Sequence, residues 1–200
     1  MLNNSVKVLN EDKVKRGLYL VLWVHIVMFF VVFATALKAN SIAVYLDAMD
    51  FFGDAIGYSL SIYFLNKNNK IRSYVSVCKA IVIIICAIPI LAFAVQHYIA
   101  GYMPHYELMT MTGSFGIIAH AICLYYLNDL RKGDSNLVSA WVLTINDLLC
   151  NLLIIFTSFT IYLTGHAFWD LLTAIIILMI AVFGALKILK RAFVELKNNM

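Results

Sequence analysis

Residues 41–65 read SIAVYLDAMDFFGDAIGYSLSIYFL. The stretch is long and apolar enough to cross a bilayer as a helix, yet it carries Asp47, Asp50 and Asp54. One charged side chain at the bilayer centre costs about 2.5–3.5 kcal/mol on insertion scales. Three in one span call for a cationic partner. Asp50 and Asp54 are one turn apart on the same face of a helix that advances about 100° per residue. Two stacked carboxylates at mid-membrane depth make half of a cation site, and the rest of the chain has to supply the other half.

The composition fits this reading. Hydrophobic residues make up 63% of the 200 residues and charged ones 13%, whereas a soluble domain carries about 45–50% and about 25%. Several apolar runs exceed the length a span requires, which excludes a soluble protein with a large core. Only 9 Gly and 2 Pro are present, so the spans are expected to be helices rather than barrel strands. The expected fold is an all-α, six-helix transmembrane bundle. Its spans are residues 17–37, 41–65, 73–98, 108–127, 137–163 and 171–188, within a transmembrane domain of 17–190. Residues 1–16 and 191–200 read as polar tails, and no cleavable leader is expected because residues 1–16 are polar.

Of the 15 Lys and Arg residues, all but two fall at one end of the spans: in the N-terminal tail, in loop 66–72, in loop 128–136 and at the C-terminal end from Lys187 onward. The exceptions are Lys38 at the other end and Lys79 inside the third span, near enough to the end of that span to snorkel. The positive-inside rule then places both termini in the cytoplasm. This distribution accounts for the net charge of +4, and no nucleic-acid partner is implied. The lipid bilayer is the expected environment. Cys78, Cys86, Cys123 and Cys150 lie in spans without a CxxC pair and read as small packing residues.

The fifth span holds a second pair, Asp147 and Asn151, again one turn apart. At 1.5 Å per residue, Asp50 and Asp54 lie roughly 14 and 20 Å below the outer end of the second span, and Asp147 and Asn151 roughly 15 and 21 Å from the inner end of the fifth. Two helices thus offer paired oxygen ligands at matching depth. Asp50, Asp54, Asp147 and Asn151 form a candidate four-ligand site for a divalent cation. Asn146 is about 100° off that face and reads as helix-packing glue. Asp47, about 60° round from Asp50, either lines an outer vestibule or caps something near the surface. His25 and His120 each fall roughly 12 Å from the inner end of their spans. They are accessory candidates, for a proton path or a transient metal contact, or else polar packing residues. His97, His105 and His166 are placed at the outer surface.

These residues carry a resemblance. NSIAVYLDAMDFFGDAIGYSLSIY at 40–63 resembles the second span of the cation diffusion facilitator family, which bears a DxxxD or HxxxD metal pair. NDLLCN at 146–151 and YLTGHAFWDLLTAIIILMI at 162–180 resemble its fifth and sixth spans, and CKAIV at 78–82 is similar to part of its third. The resemblance covers nearly all of 17–190. It implies a bundle that gathers metal between spans two and five and exports zinc, manganese, cobalt, cadmium or iron from the cytosol in exchange for protons, usually as a homodimer. It implies no permanent cofactor, only the transported divalent metal cation and protons. The family's usual cytoplasmic domain does not follow the sixth span here, which matches a short branch, and a bacterial inner membrane is the expected location. The family's fifth-span histidine falls on Leu143, so the expected ligand set is all oxygen and suits harder ions such as manganese. A non-transporting membrane subunit or assembly partner that retains the fold is the alternative. An enzyme is not expected: no His-rich cluster at a membrane face, nucleotide loop or nucleophile–base spacing is present.

Overall fold

The chain's computed structural model describes residues 11–128, 131 and 135–198. Residues 1–10 of the N-terminal tail, 129–130 and 132–134 of the loop before the fifth span, and 199–200 lie outside the described residues. Among the described residues six helices follow in order: α1 Glu11–Ala39, α2 Ile42–Tyr63, α3 Asn69–Ile99, α4 Tyr106–Leu127, α5 Ser135–Thr164 and α6 Phe168–Asn198. Each matches one expected span. Five are long and apolar enough to cross a membrane; α2 is of comparable length and carries the three aspartates.

The outer helices run past the expected spans. α6 continues to Asn198 because Ile188, Ala192 and Leu196 recur every four residues and stay buried. Glu195 on the same stretch accepts a hydrogen bond from Ser73 Oγ at 3.0 Å, at the start of α3. At the other end of the molecule the helices are capped closely. Ser41 Oγ accepts from Val44 N–H at the start of α2, after Asn40 turns the chain with φ of 48°. Short polar side chains are the ones that cap helices and tolerate such turns.

α1, α2, α4 and α5 pack around a common axis, while α3 and α6 form a pair that flanks α2 and α5. The end holding Glu11 and Asn198, termed inner, also holds Leu127 and Leu137; Ser41, His105 and Asp170 meet at the outer end. Polarity is inverted relative to a soluble fold. Ile85, Ile88 and Phe156 are 64%, 75% and 68% exposed, whereas His25 and Asp47 are 0% and 1% exposed. Hydrophobic surface of this extent is stable only against lipid; the chain is an integral, multi-pass membrane protein. Lys79 does not snorkel. It is buried, and its Nζ donates to Ser61 Oγ at 2.7 Å and to Asn136 Oδ1 at 2.9 Å, joining α3 to α2 and α5.

Candidate metal centre

Halfway along the four central helices, one polar layer interrupts the apolar packing. α1 contributes His25, α2 Asp54, α4 His120 and α5 Asp147. His25 Nε2 lies 3.5 Å from Asp54 Oδ2, and His120 Nε2 lies 3.9 Å from Asp147 Oδ2. The two imidazoles meet edge to face with centroids 5.5 Å apart. One ligand atom from each of His25, His120 and Asp147 falls within 4.8 Å of the other two.

Both rings are aimed by their own helices. His25 Nδ1 sits 2.9 Å from the Val21 carbonyl, one turn back. A carbonyl only accepts, so Nδ1 carries a hydrogen in that contact, and Nε2 is the ring nitrogen that faces Asp54. The His120 ring also contacts the backbone of Gly116, one turn back on α4. Phe51 stacks on His120 at 4.8 Å and 15°, and Tyr58 meets His25 edge on at 4.8 Å. Tyr58 itself is fixed by its hydroxyl contact with Thr144 Oγ1 at 2.5 Å. These apolar rings keep the donors in place and dry the layer.

The geometry sorts the residues singled out in the sequence. Asp54 and Asp147 lie in one layer, each beside an imidazole. His25 and His120 join them directly. Asp50 is half-buried on α2, one turn from Asp54. Asn151 turns aside: its Nδ2 donates to Asp47 Oδ1 at 2.9 Å and to the Asp147 carbonyl at 3.0 Å, and lies 3.4 Å from His120 Nδ1. Asp47 is therefore buried against α5. Asn151 fits because Gly116 has no side chain; a methyl group there would overlap the Asn151 amide. Asn146 points the other way, its amide against Gly184 of α6, the packing role its angle suggests. His105 and His166 are exposed at the outer end, and His97 is half-buried there with Nε2 3.2 Å from the Asn40 carbonyl. All four cysteines are free, Cys78 and Cys86 facing outward and Cys123 and Cys150 buried.

Among the described residues, His25 Nε2, Asp47 Oδ2, Asp54 Oδ2, Asp147 Oδ2 and Asn151 Oδ1 are buried without a hydrogen-bond partner. Buried polar atoms are nearly always paired, and a lone pair opposite a carboxylate is repulsive. Three unpaired acceptors in the layer, with those of Asn151 and Asp47 one and two turns outward, call for a cation, as bound metal or as protons, between them.

No individually curated protein matches the sequence significantly. The model of the cation efflux transmembrane domain, however, matches residues 18–197, nearly the whole chain. With six helices around an acidic layer at mid-depth, the chain belongs to the cation efflux family, whose members are membrane transporters of metal cations.

Proposed function

We propose that the protein exports a divalent transition-metal cation from the cytosol in exchange for protons, with His25 Nε2, Asp54, His120 Nε2 and Asp147 as the ligands in this conformation. The convergence of unpaired acceptor atoms on that point carries the reading. A tetrahedral centre with bonds of about 2.0–2.1 Å sets its ligand atoms about 3.3 Å apart. The pairs at 3.5 and 3.9 Å lie close to that spacing, and the set of His25, His120 and Asp147, within 4.8 Å of one another, has to contract by up to about 1.5 Å around an ion. Two imidazoles beside two carboxylates also change the expected selectivity. Nitrogen donors suit zinc, cobalt and iron better than the all-oxygen set of Asp50, Asp54, Asp147 and Asn151, which suits manganese. Asp50 and Asp47 extend acidic character outward along α2 and stand as the next contacts for a departing ion.

Exchange with protons follows from charge. Metal binding requires deprotonated ligands and releases their protons, and an empty layer of facing carboxylates at mid-depth requires protons back. The moving parts are α1, α2, α4 and α5 as a group against the α3–α6 pair. The test is metal uptake into proteoliposomes for zinc, manganese, cobalt, cadmium and iron, with Asp54→Ala beside wild type. Uptake of zinc, cobalt or iron ahead of manganese, absent in Asp54→Ala and driven by a pH gradient, supports the reading. Uptake indifferent to the gradient removes the exchange step. No uptake of any ion by well-folded protein leaves the non-transporting subunit.

A further inference from the structure

Asp170 lies in the first turn of α6, far from the metal layer, and is 1% exposed. Its carboxylate accepts three hydrogen bonds from the start of α2: from Ser41 Oγ at 2.8 Å, Ile42 N at 2.5 Å and Ala43 N at 3.2 Å. Ser41 Oγ in turn accepts from Val44 N. The exposed amide donors and positive dipole end of the aspartate-bearing helix are thus held by an anion belonging to another helix. Two further elements grip the same turn. His97 Nε2 of α3 reaches the Asn40 carbonyl, and the His105 amide preceding α4 donates to the Ala39 carbonyl at 2.8 Å. Asp170 and His97 belong to the α3–α6 pair; Ser41 and Ile42 belong to the group that carries the metal ligands. Beneath the clasp, Ile42, Leu46, Phe51, Ile154 and Ile177 fill the space down to the metal layer.

We propose that Asp170 is a positioning residue that latches the outer end of α2 to the α3–α6 pair, and that the outer route to the metal layer opens only when this clasp releases. The inference rests on the transport reading only for naming the opened state outward-facing. A carboxylate bonded to three donors makes a fitting latch, because it is strong as a set, yet it can pass to water at the surface one bond at a time.

Two native thiols report the two ends. Cys150 is buried in the outer core and Cys123 in the inner one. In detergent, with the exposed Cys78 and Cys86 replaced by Ser, the alkylation rates of both thiols are measured by mass spectrometry in wild type, Asp170→Ala, Asp170→Asn and Ser41→Ala. The latch predicts an increase of about tenfold at Cys150 in Asp170→Ala, equal to about 1.4 kcal/mol. It predicts smaller increases in Asp170→Asn and Ser41→Ala, and no change at Cys123. An unchanged Cys150 rate in the folded variants, or equal increases at both thiols, overturns it. If Asp170→Ala does not fold, Asp170→Asn and Ser41→Ala decide by the same contrast. Labelling requires no transport, so a failure of the metal-uptake assay and a failure of the latch are separate results.

Discussion

Above the metal layer, Val32, Leu46, Phe51, Met109, Ile154 and Ile177 join one continuous core that runs to the outer end. Below it, Leu18, Val21, Tyr58, Leu127 and Leu137 form a second, separate core. Among the described residues, the outer core is the larger, and its polar fastening is short and close to backbone: the Asp170 carboxylate on amide donors, and Thr157 on Thr173. The inner half is tied by long side chains, Lys79 to Ser61 and Asn136, and Glu195 to Ser73. Short groups hold one geometry and lose contact over a small displacement. Long ones follow a moving partner at a cost in side-chain entropy. In this conformation, then, the outer half is closely packed and the inner half is tethered, an asymmetry that the proposed exchange would use.

The strongest challenge to this contrast is at the layer both halves share. Asp147→Ala should lower metal affinity in isothermal titration by more than about 100-fold, beyond the 10–100-fold loss typical of a merely supporting residue. Retained affinity would mean that the two cores enclose no ion site. Lowering pH should act in the same direction, because protons compete for the ligands. Affinity should fall by up to about tenfold per pH unit for each proton displaced, and never rise. A flat profile between pH 8 and 6 would exclude exchange at these groups.

Smaller effects sharpen the contrast between the halves. Gly116→Ala places a methyl group in the Asn151 amide and should cost about 1–3 kcal/mol, read as a lower melting temperature; a neutral result would show that α4 and α5 can separate there. Lys79→Met leaves Ser61 and Asn136 without the ammonium and should cost about 1–3 kcal/mol. Thr173→Val, in the outer half, removes one interhelical hydrogen bond of the kind worth about 0.6 kcal/mol within membranes. If the outer substitution proves the more damaging, the inner ties are not what holds the inner half together.

What could be read in the sequence were the quantities that accumulate along one helix. Apolar length located all six helices, and a rise of 1.5 Å per residue placed Asp54 and Asp147 at one depth before any packing was known. Depth also put His25 and His120 near that level. Rotation about each helix axis and the choice of neighbour are set by packing between helices, and these decided the rest. The angle that separates Asp47 from Asp50 turns Asp47 onto Asn151 of α5, so Asn151 spends its amide hydrogens on Asp47 and the Asp147 carbonyl. Asp170 escaped notice, although a signal exists: it is an acidic residue in the first turn of a helix, in an outer segment otherwise poor in charge. Its partner is 129 positions away at Ser41, and no local pattern carries that pairing. The long α6 was legible in part, since Ile188, Ala192 and Leu196 keep a helical period through residues that otherwise read as a charged tail.

The pairing of two carboxylates with two imidazoles also has an electrical side. With neutral imidazoles, Asp54 and Asp147 give the cluster two negative charges, and either one divalent cation or two protons brings that to zero. A carrier exchanging the one for the other crosses its conformational step with the same net charge in both loaded forms. Membrane voltage, which acts at about 2.3 kcal/mol per elementary charge per 100 mV, then does no work on that step. A potassium diffusion potential imposed on proteoliposomes should leave the exchange rate unchanged. A rate that follows the voltage would mean that Asp47 or Asp50 carries a further charge through the field.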